Sequence, residues 1–541
     1  MPFYKISEME TIPTAVGNGK VQTTAGELMK AAMVTYQMGD GPPPHFHPNE
    51  EQFILMLEGK FNMILGDETR IVEHGDLIHI PRNTRHGIHV VEGPAVFFHV
   101  KSPVGDGHME GDYHKAADAD EVKKTPRRRL SAAEGEAEMT VSNAPAAISA
   151  GNIELVGYHD LEERPAFKIA MQEADGRFYL YLSTFWQSGW SVLDVTDPEA
   201  PEYKKWLPGP ENTWTLQVQV ADGLMITSME KIPPGWGPRP DDPPEAEGVY
   251  IWDVASDPAS PRRIAHWETG GTGTHRNFYN GGRYAHLSAG APGYSKRIYR
   301  VLDLEDPANP KEAGRWWLPE QELDEDGVPK GGPNNFFQHG PAHAEAGRAY
   351  LPYSAGGMII LDIEDISSPK LVSRLMVHPP LGSNLAVHTV YPYLNRGFAI
   401  ANSEALRENC DEPLNYTAIV DIKDEKNPRV MSLFPVPDPP EGYSHKNFCE
   451  RGGRFGPHNQ HHAQGLDCLE QREDRIYLTY FNAGLRIYDI SDPVRPTEIA
   501  HYIPSDPQKR LGMLPKTLVT QSEDVLVDRR GFMYVTDKNH G

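Results

Sequence analysis

The C-terminal two thirds of the chain repeat one pattern six times. In each copy a β-branched apolar run ends at an aspartate and leads into an Asp/Pro-rich turn. The shared aspartates are spaced by 59, 50, 59, 59 and 68 residues and are Asp194, Asp253, Asp303, Asp362, Asp421 and Asp489. Because aspartate accepts hydrogen bonds from turn amides and proline prevents further pairing, each copy predicts a strand with a defined end.

Another apolar run precedes each copy, and a seventh run of this kind occupies 531–537. A repeat of 50–60 residues that contains about four strands predicts a β-propeller, here of seven blades. The segment ELVGYHDL (154–161) is a candidate for the outer strand that closes the ring. These strands resemble the LVIVD-repeat family of propellers, which implies a fold but no particular activity.

The first hundred residues have a different organisation. Short β-rich runs broken by Gly, Asp, Asn and Pro fill 1–105, whereas 106–150 is rich in alanine and charge. We therefore predict an all-β protein with an N-terminal domain at 1–105, a linker at 106–150 and the propeller at 151–541.

The stretch PPPHFHPNEEQFILMLEG (42–59) places His45 and His47 on one face of a strand, where two imidazoles can share an ion. GDLIHIPRNTRH (75–86) offers a third imidazole, His86, about one hairpin later. Together these motifs resemble the two halves of the cupin pattern, with Asn83 where glycine is usual. The resemblance implies a double-stranded β-helix barrel with a metal site.

Two neighbouring residues, Gln52 and Glu51, are candidates for the fourth ligand of that site. Counting six residues back from Gly59 favours Gln52, with Glu51 as the alternative. The alternation of apolar and polar residues that would show which face of the strand is buried does not decide between the two, because residues 53–57 are all apolar. Three imidazoles and a neutral amide leave the charge of the ion uncompensated, which makes it a stronger Lewis acid. Such ligands suit Fe²⁺ as the first choice, with Mn²⁺, Zn²⁺, Ni²⁺ or copper as alternatives.

A second set of histidines lies just before the inner strands of the repeats. Equivalent positions in different blades surround one axis, so these side chains can converge on a metal, or each can instead bond backbone between blades. The candidate metal ligands here are His275, His339, His343, His388, His461 and His462. Within this set His275 and His388, together with Glu404, are candidate catalytic residues, and Arg276 is a further channel residue.

Composition limits the binding partners and the cellular location that we expect for this protein. A formal charge of −24 argues against binding nucleic acid or anionic lipid. The odd number of cysteines, three, argues against a disulfide framework. Without an apolar leader or an 18-residue apolar span, the expectation is a cytoplasmic protein.

The leading function is a metal-dependent oxygenase of the dioxygenase type that acts on a small oxygen-bearing organic substrate. The alternatives are a metal-dependent isomerase or lyase that uses no O₂, and a non-enzymatic propeller for ligand sensing or protein interaction. A homodimer formed through the cupin sheets is compatible with each of these.

Overall fold

The computed structural model describes residues 4–541 apart from 15–17, 27–28, 48–49, 67, 103–113, 116–146, 238, 240–241, 333, 378–382, 384 and 414. The regular secondary structure of the described residues is almost entirely β-strand, and the chain divides between Ala137 and Glu138 into two units. This division falls inside the segment predicted as a linker, most of which lies outside the described residues. The domain bounds at 105 and 150 remain a prediction.

The N-terminal unit is one nine-stranded antiparallel sheet, in which a 15-residue strand and a 17-residue strand pair along most of their lengths. Its strands are β1 (Ile12–Pro13), β2 (Lys20–Ala25), β3 (Lys30–Tyr36), β4 (His45–Phe46), β5 (Glu51–Leu65), β6 (Glu68–Val72), β7 (Leu77–Ile80), β8 (His86–Ser102) and β9 (His114–Lys115). A 3₁₀ turn, Ile6–Glu8, precedes them. The start of β8 lies beside β4, so His86 pairs with His45.

Alternating burial along β5 explains why this unit is stable. Gln52, Ile54 and Met56 point inward, and the residues between them are more exposed. The aromatic rings of Phe61 and Phe97 complete the core, and burying one such side chain stabilises the fold by roughly 1.5–3 kcal/mol.

Two turns of the predicted cupin pattern need left-handed backbone. Gly59 has φ of +76°, and a Cβ there would lie 2.4 Å from the carbonyl oxygen of Pro94. Only glycine fits such a position. Asn83, at the position where glycine is usual, has φ of 58°. Asparagine tolerates this conformation better than most residues, which explains the departure from the pattern.

Within the described residues, the C-terminal unit is a propeller-like ring of sheets with six blades. Five follow the repeats in chain order: β11–β14 (Ala166–Ala174, Arg177–Thr184, Gly189–Asp194, Glu202–Pro208), β15–β19 (Thr213–Trp214, Val218–Ala221, Leu224–Lys231, Gly248–Asp253, Arg262–Trp267), β20–β23 (Thr274–Phe278, Tyr284–Gly290, Arg297–Asp303, Lys311–Trp316), β24–β27 (His343–Glu345, Arg348–Pro352, Met358–Asp362, Lys370–Leu375) and β28–β31 (Leu385–Tyr393, Phe398–Glu404, Thr417–Asp421, Arg429–Leu433). The sixth contains β32 (Arg475–Thr479), β33 (Leu485–Asp489), β34 (Thr497–Pro504) and, at its edge, β10 (Ala147–Gly151). The short helical elements are Pro319–Gln321, Leu394–Arg396 and α1 (Phe448–Arg451).

The predicted role of the repeated aspartates is confirmed. In every copy the carboxylate accepts the backbone N–H of the residue two positions later. The aspartate thus closes the turn after the third strand of each blade, and this turn sets where the fourth strand begins.

The seventh sheet contains two strands, β35 (Ser522–Val527) and β36 (Met533–Asp537). β36 is the strand predicted at 531–537. The prediction that 154–161 supplies a closing strand is wrong, since this segment forms no strand, although Tyr158 donates a hydrogen bond to the carbonyl of His540. The edge strand of the sixth blade is instead β10, which comes from the N-terminal side of the repeats and pairs with β34.

The first and last sheets are joined by buried polar contacts. Lys168 of β11 forms an ion pair of 2.6 Å with Asp524 of β35, and Asp524 also accepts the backbone N–H of Ile169. Thr536 of β36 donates to the carbonyl of Phe167. These bonds close the ring.

The odd number of cysteines argued against a disulfide framework, and the structure nevertheless contains a disulfide. Cys410 and Cys449 form a disulfide with a Cα–Cα distance of 5.4 Å, across 39 residues of sequence. Spacing alone does not reveal this proximity, because the fold creates it. Cys468 is buried and reduced. None of the described helices is long and apolar enough to span a bilayer.

Candidate functional site

Three buried histidines meet inside the N-terminal unit. His45, His47 and His86 each offer a ring nitrogen, and these nitrogens lie within 4.8 Å of one another. The ring centres of His45 and His86 are 4.2 Å apart. The arrangement brings together the three imidazoles predicted from the sequence.

Backbone carbonyls orient two of these rings. The Nδ1 atoms of His45 and His86 donate to the carbonyl oxygens of Pro43 and Thr84, both at 2.8 Å. A proton on Nδ1 leaves the lone pair on Nε2, which is the form that binds a metal. Burial lowers the pKa of His45 to about 3 and that of His86 to about 4. Both rings are therefore neutral at physiological pH, as ligands must be.

The structure places Gln52, not Glu51, beside the imidazoles. Gln52 is 4% exposed, and its Nε2 lies 3.5 Å from Nε2 of His86. The side chain of Glu51 lies on the opposite face of the strand, where it bonds Nε2 of His79 at 2.5 Å. The donor set is thus three imidazoles and one neutral carboxamide, whose oxygen can complete the coordination of a divalent ion.

A charged pair borders the same site. The ammonium group of Lys101 lies 3.3 Å from Nε2 of His47 and 2.9 Å from a carboxylate oxygen of Glu50. Both side chains are largely buried, at 17% and 15% exposure. An amine and a carboxylate held together beside a metal-binding group can hold or move a proton.

A second cluster lies in the propeller. Four histidines contribute, two of them in the strands β20 and β28 and two in segments between strands, with neighbouring ring centres 4.5, 4.9 and 4.9 Å apart. They are His275, His339, His388 and His458. Glu404 lies among them, with one oxygen 3.3 Å from Nε2 of His339 and 3.4 Å from Nε2 of His388. His339, His388 and Glu404 form a group with the spacing of metal ligands.

Other buried carboxylates surround this cluster. Glu230 lies 2.5 Å from Nδ1 of His275, and Glu523 lies 3.2 Å from Nδ1 of His458. Burial moves the pKa of Glu230 up, whereas Lys538 and neighbouring cations outweigh burial and move the pKa of Glu523 down. Burial also places the pKa of His275, His339 and His388 well below the usual range.

The remaining propeller histidines lie elsewhere and make structural contacts. His461 bonds the carbonyl of Glu470 and accepts the N–H of Val527. His462 bonds the carbonyl of Pro392 and packs against His343 with ring centres 4.6 Å apart. His343, His461 and His462 therefore fit the alternative prediction of contacts between blades rather than the ligand set.

The comparison with protein families gives two matches. The Cupin domain model matches residues 32–101, and the LVIVD repeat model matches 348–377 and 472–503. The chain carries an N-terminal cupin domain and C-terminal LVIVD repeats.

Among curated proteins, the chain is similar to the quercetin 2,3-dioxygenase of Bacillus subtilis (strain 168), with 31% identity over 75 residues. This alignment spans 14% of the chain and only 21% of the relative. Two solved structures are similar over about a fifth of the chain. KdgF from Halomonas sp. is 23% identical, with 20% of this chain and 97% of that one covered and a TM-score of 0.19. An RmlC-like cupin from Shewanella frigidimarina NCIMB 400 is 20% identical, with 19% and 93% covered and a TM-score of 0.18.

Several charged residues near the two sites belong to no sequence motif and were not predicted from the sequence. Lys101 and Glu50 of the cupin domain, and Arg454 and Glu523 of the repeat region, are brought in by tertiary packing. Histidine is rare enough that a recurrent position stands out, whereas one Arg or Glu among many charged residues does not. Arg276 is 1% exposed and joins the second cluster, where burial lowers its pKa to about 10.

Proposed function

We propose that the protein is a metal-dependent enzyme whose reaction takes place in the cupin domain. The observation that carries this proposal is the buried set of three imidazoles and one carboxamide, two of whose rings are locked with Nε2 lone pairs inward. Dioxygenase chemistry with Fe²⁺ on a small oxygen-bearing organic substrate is the leading reaction. The partial similarity to a quercetin 2,3-dioxygenase supports that choice.

When bound, a divalent ion would act as a Lewis acid toward an oxygen atom of the substrate. His45, His47, His86 and Gln52 would hold it, and none of these ligands is a carboxylate. The ligand set therefore leaves the positive charge of the ion available to a substrate oxyanion or enolate.

The other residues of the site would handle protons and water. Lys101 can donate a proton to an oxygen anion near His47, and Glu50 holds the ammonium group in position at 2.9 Å. Ile54 and Met56 continue the inward face of β5 beyond Gln52 and exclude water from that side. Exclusion of water strengthens each of these electrostatic interactions.

Proton transfer without O₂ is the second candidate, and the Lys101–Glu50 pair is the observation that favours it. A metal-polarised carbonyl next to a paired amine and carboxylate suits isomerisation or elimination. Oxygen consumption separates the two reactions.

The test uses the full-length protein, stripped of metal and reloaded anaerobically with Fe²⁺. Metal content is measured first, and then O₂ uptake with quercetin and with simple enolisable diketones. We expect one equivalent of metal at the cupin site, lost in Gln52→Ala and His86→Ala but kept in Glu51→Ala. The last variant is the matched control, since it changes the neighbouring residue on the opposite face.

Each result has a clear meaning. Metal-dependent O₂ uptake that disappears in the ligand variants supports the oxygenase. Metal binding with substrate conversion but no O₂ uptake supports the isomerase or lyase. A protein whose metal content is the same in wild type, Gln52→Ala and His86→Ala has no cupin metal site, and the proposal fails.

A further inference from the structure

Glu404 occupies an unusual position between two imidazoles. Its Oε2 lies 3.3 Å from Nε2 of His339 and 3.4 Å from Nε2 of His388, and neither contact has hydrogen-bond geometry. Ligands about 2.1 Å from a tetrahedral ion are separated by roughly 3.4 Å. Oε2 of Glu404 thus lies at that separation from each imidazole nitrogen, and the three residues offer ligand atoms within 4.8 Å of one another.

Two ring nitrogens in this cluster lack a hydrogen-bond partner among the described residues. His388 is fully buried, its Nδ1 shares a hydrogen bond of 2.7 Å with the hydroxyl of Thr389, and its Nε2 has no partner. With the Nδ1 proton donated to Thr389, Nε2 offers its lone pair to an ion. The same holds for Nε2 of His275, whose Nδ1 faces Glu230. Leaving a buried acceptor unpaired is unfavourable, and a bound cation removes that cost.

We propose that His339, His388 and Glu404 bind a divalent transition-metal ion in the propeller, independently of the cupin site. The imidazoles of His275 and His458 flank the ion and are available for its further coordination positions. Imidazole and carboxylate ligands fit iron, zinc or copper.

Hydrogen bonds from neighbouring residues orient these side chains so that they can act as ligands. Arg454 donates to Oε1 of Glu404 at 2.8 Å, which leaves Oε2 directed at the histidines. The carboxylate of Glu230 accepts from Nδ1 of His275, and the backbone carbonyl of Glu523 accepts from Nδ1 of His458; carboxylates and backbone carbonyls are the usual partners of metal-bound histidine.

On metal binding, the imidazole of His339 must carry its proton on its other ring nitrogen. Arg297 lies 3.2 Å from Nδ1 of His339 and donates to it, so the ring proton is on Nε2 in this arrangement. Binding through Nε2 moves that proton to Nδ1, where it would face Nη2 of Arg297, so this donor must turn away from the ring. Arg297 then keeps its two contacts with Glu230, at 2.9 and 3.2 Å.

Buried cations near the cluster bear on what the ion would bind. Arg276, Arg454 and Lys538 are each under 5% exposed. Together with the ion they leave excess positive charge in a region of low dielectric constant, which favours an anionic ligand such as hydroxide or a carboxylate.

The experiment isolates this site in the full-length protein. A cupin-silent variant, His45→Ala with His86→Ala, is stripped of metal and titrated with Co²⁺, followed by visible absorbance and by elemental analysis. We expect one equivalent of Co²⁺ to remain. Adding Glu404→Gln or His388→Gln should weaken that binding by more than about 100-fold, because removal even of an outer-shell partner costs 10–100-fold.

His286→Gln in the same background is the matched control. His286 is a buried propeller histidine that bonds Tyr299 outside the cluster, and its loss should leave Co²⁺ binding unchanged. Tryptophan fluorescence checks that each variant is folded. Absence of Co²⁺ from the cupin-silent protein, or equal affinity in Glu404→Gln, His388→Gln and their parent, would overturn the proposal. Failure of the cupin site is seen separately, as identical stoichiometry in the wild type and the cupin-silent variant.

Discussion

Replacing Lys168 by methionine tests whether one buried ion pair closes the propeller. Lys168 lies in the first sheet of the ring and Asp524 in the last, and their side chains are 7% and 3% exposed. Methionine has nearly the same length, so the substitution removes the charge while it keeps most of the packing.

The magnitude follows from burial and distance. At 2.6 Å the attraction between the two charges is about 6 kcal/mol at an effective dielectric constant of 20. Burial nevertheless lowers the pKa of Lys168 despite the neighbouring carboxylate, so desolvation offsets this attraction. The pair contributes little net stability, but removing one partner leaves Asp524 charged and buried. We expect Lys168→Met to destabilise the propeller by about 3–5 kcal/mol.

The double variant Lys168→Met with Asp524→Asn should recover most of that loss. Asparagine still accepts the backbone N–H of Ile169, a bond that Asp524 makes at 3.0 Å, and no buried charge is left. Lys509→Met is the control, because its partner Glu163 is exposed and such pairs contribute under about 1 kcal/mol.

Urea unfolding followed by tryptophan fluorescence measures these differences. All nine tryptophans lie between residues 186 and 317, so the signal reports on the propeller and not on the cupin domain. A midpoint shift as small for Lys168→Met as for Lys509→Met would refute the reasoning, as would a double variant less stable than the single one.

Two further predictions concern pH and backbone geometry. Burial lowers the pKa of His286 to about 3, against about 6.5 in the unfolded chain. The unfolded chain therefore binds more protons below pH 6.5, and the stability that neutral His286 contributes is complete above that pH and declines as pH falls. By pH 5 the loss is about 2 kcal/mol, so the stability gap between wild type and His286→Gln should be larger by that amount at pH 7.5 than at pH 5 in urea titrations. In the cupin domain, Gly59→Ala should lower the thermal midpoint followed by circular dichroism more than Gly66→Ala does. Both glycines have positive φ, but only at Gly59 does a Cβ meet backbone, and an equal effect would contradict this account.

Local patterns were enough to predict the repeats. The aspartate at the end of each third strand acts within its own turn, through an amide two residues away, so it can be read without the rest of the fold. The left-handed backbone at Gly59 is local in the same way. Closure of the ring is not local, and the prediction of a strand at 154–161 failed because β10 is the segment that pairs with β34.

The cupin site shows the same division. The sequence by itself put His45 and His47 on one face of a strand, through their spacing, and its resemblance to the cupin pattern implied that His86 joins them in a small barrel. It left Gln52 and Glu51 open, because an unbroken apolar run hides which side of β5 is buried. Pairing of β5 with β7 and β8 decided for Gln52. Tertiary structure alone also joined Cys410 to Cys449 and brought His339 to His388 and Glu404, which share one sheet, since contacts across tens of residues depend on how strands pack and leave no periodic trace in the chain.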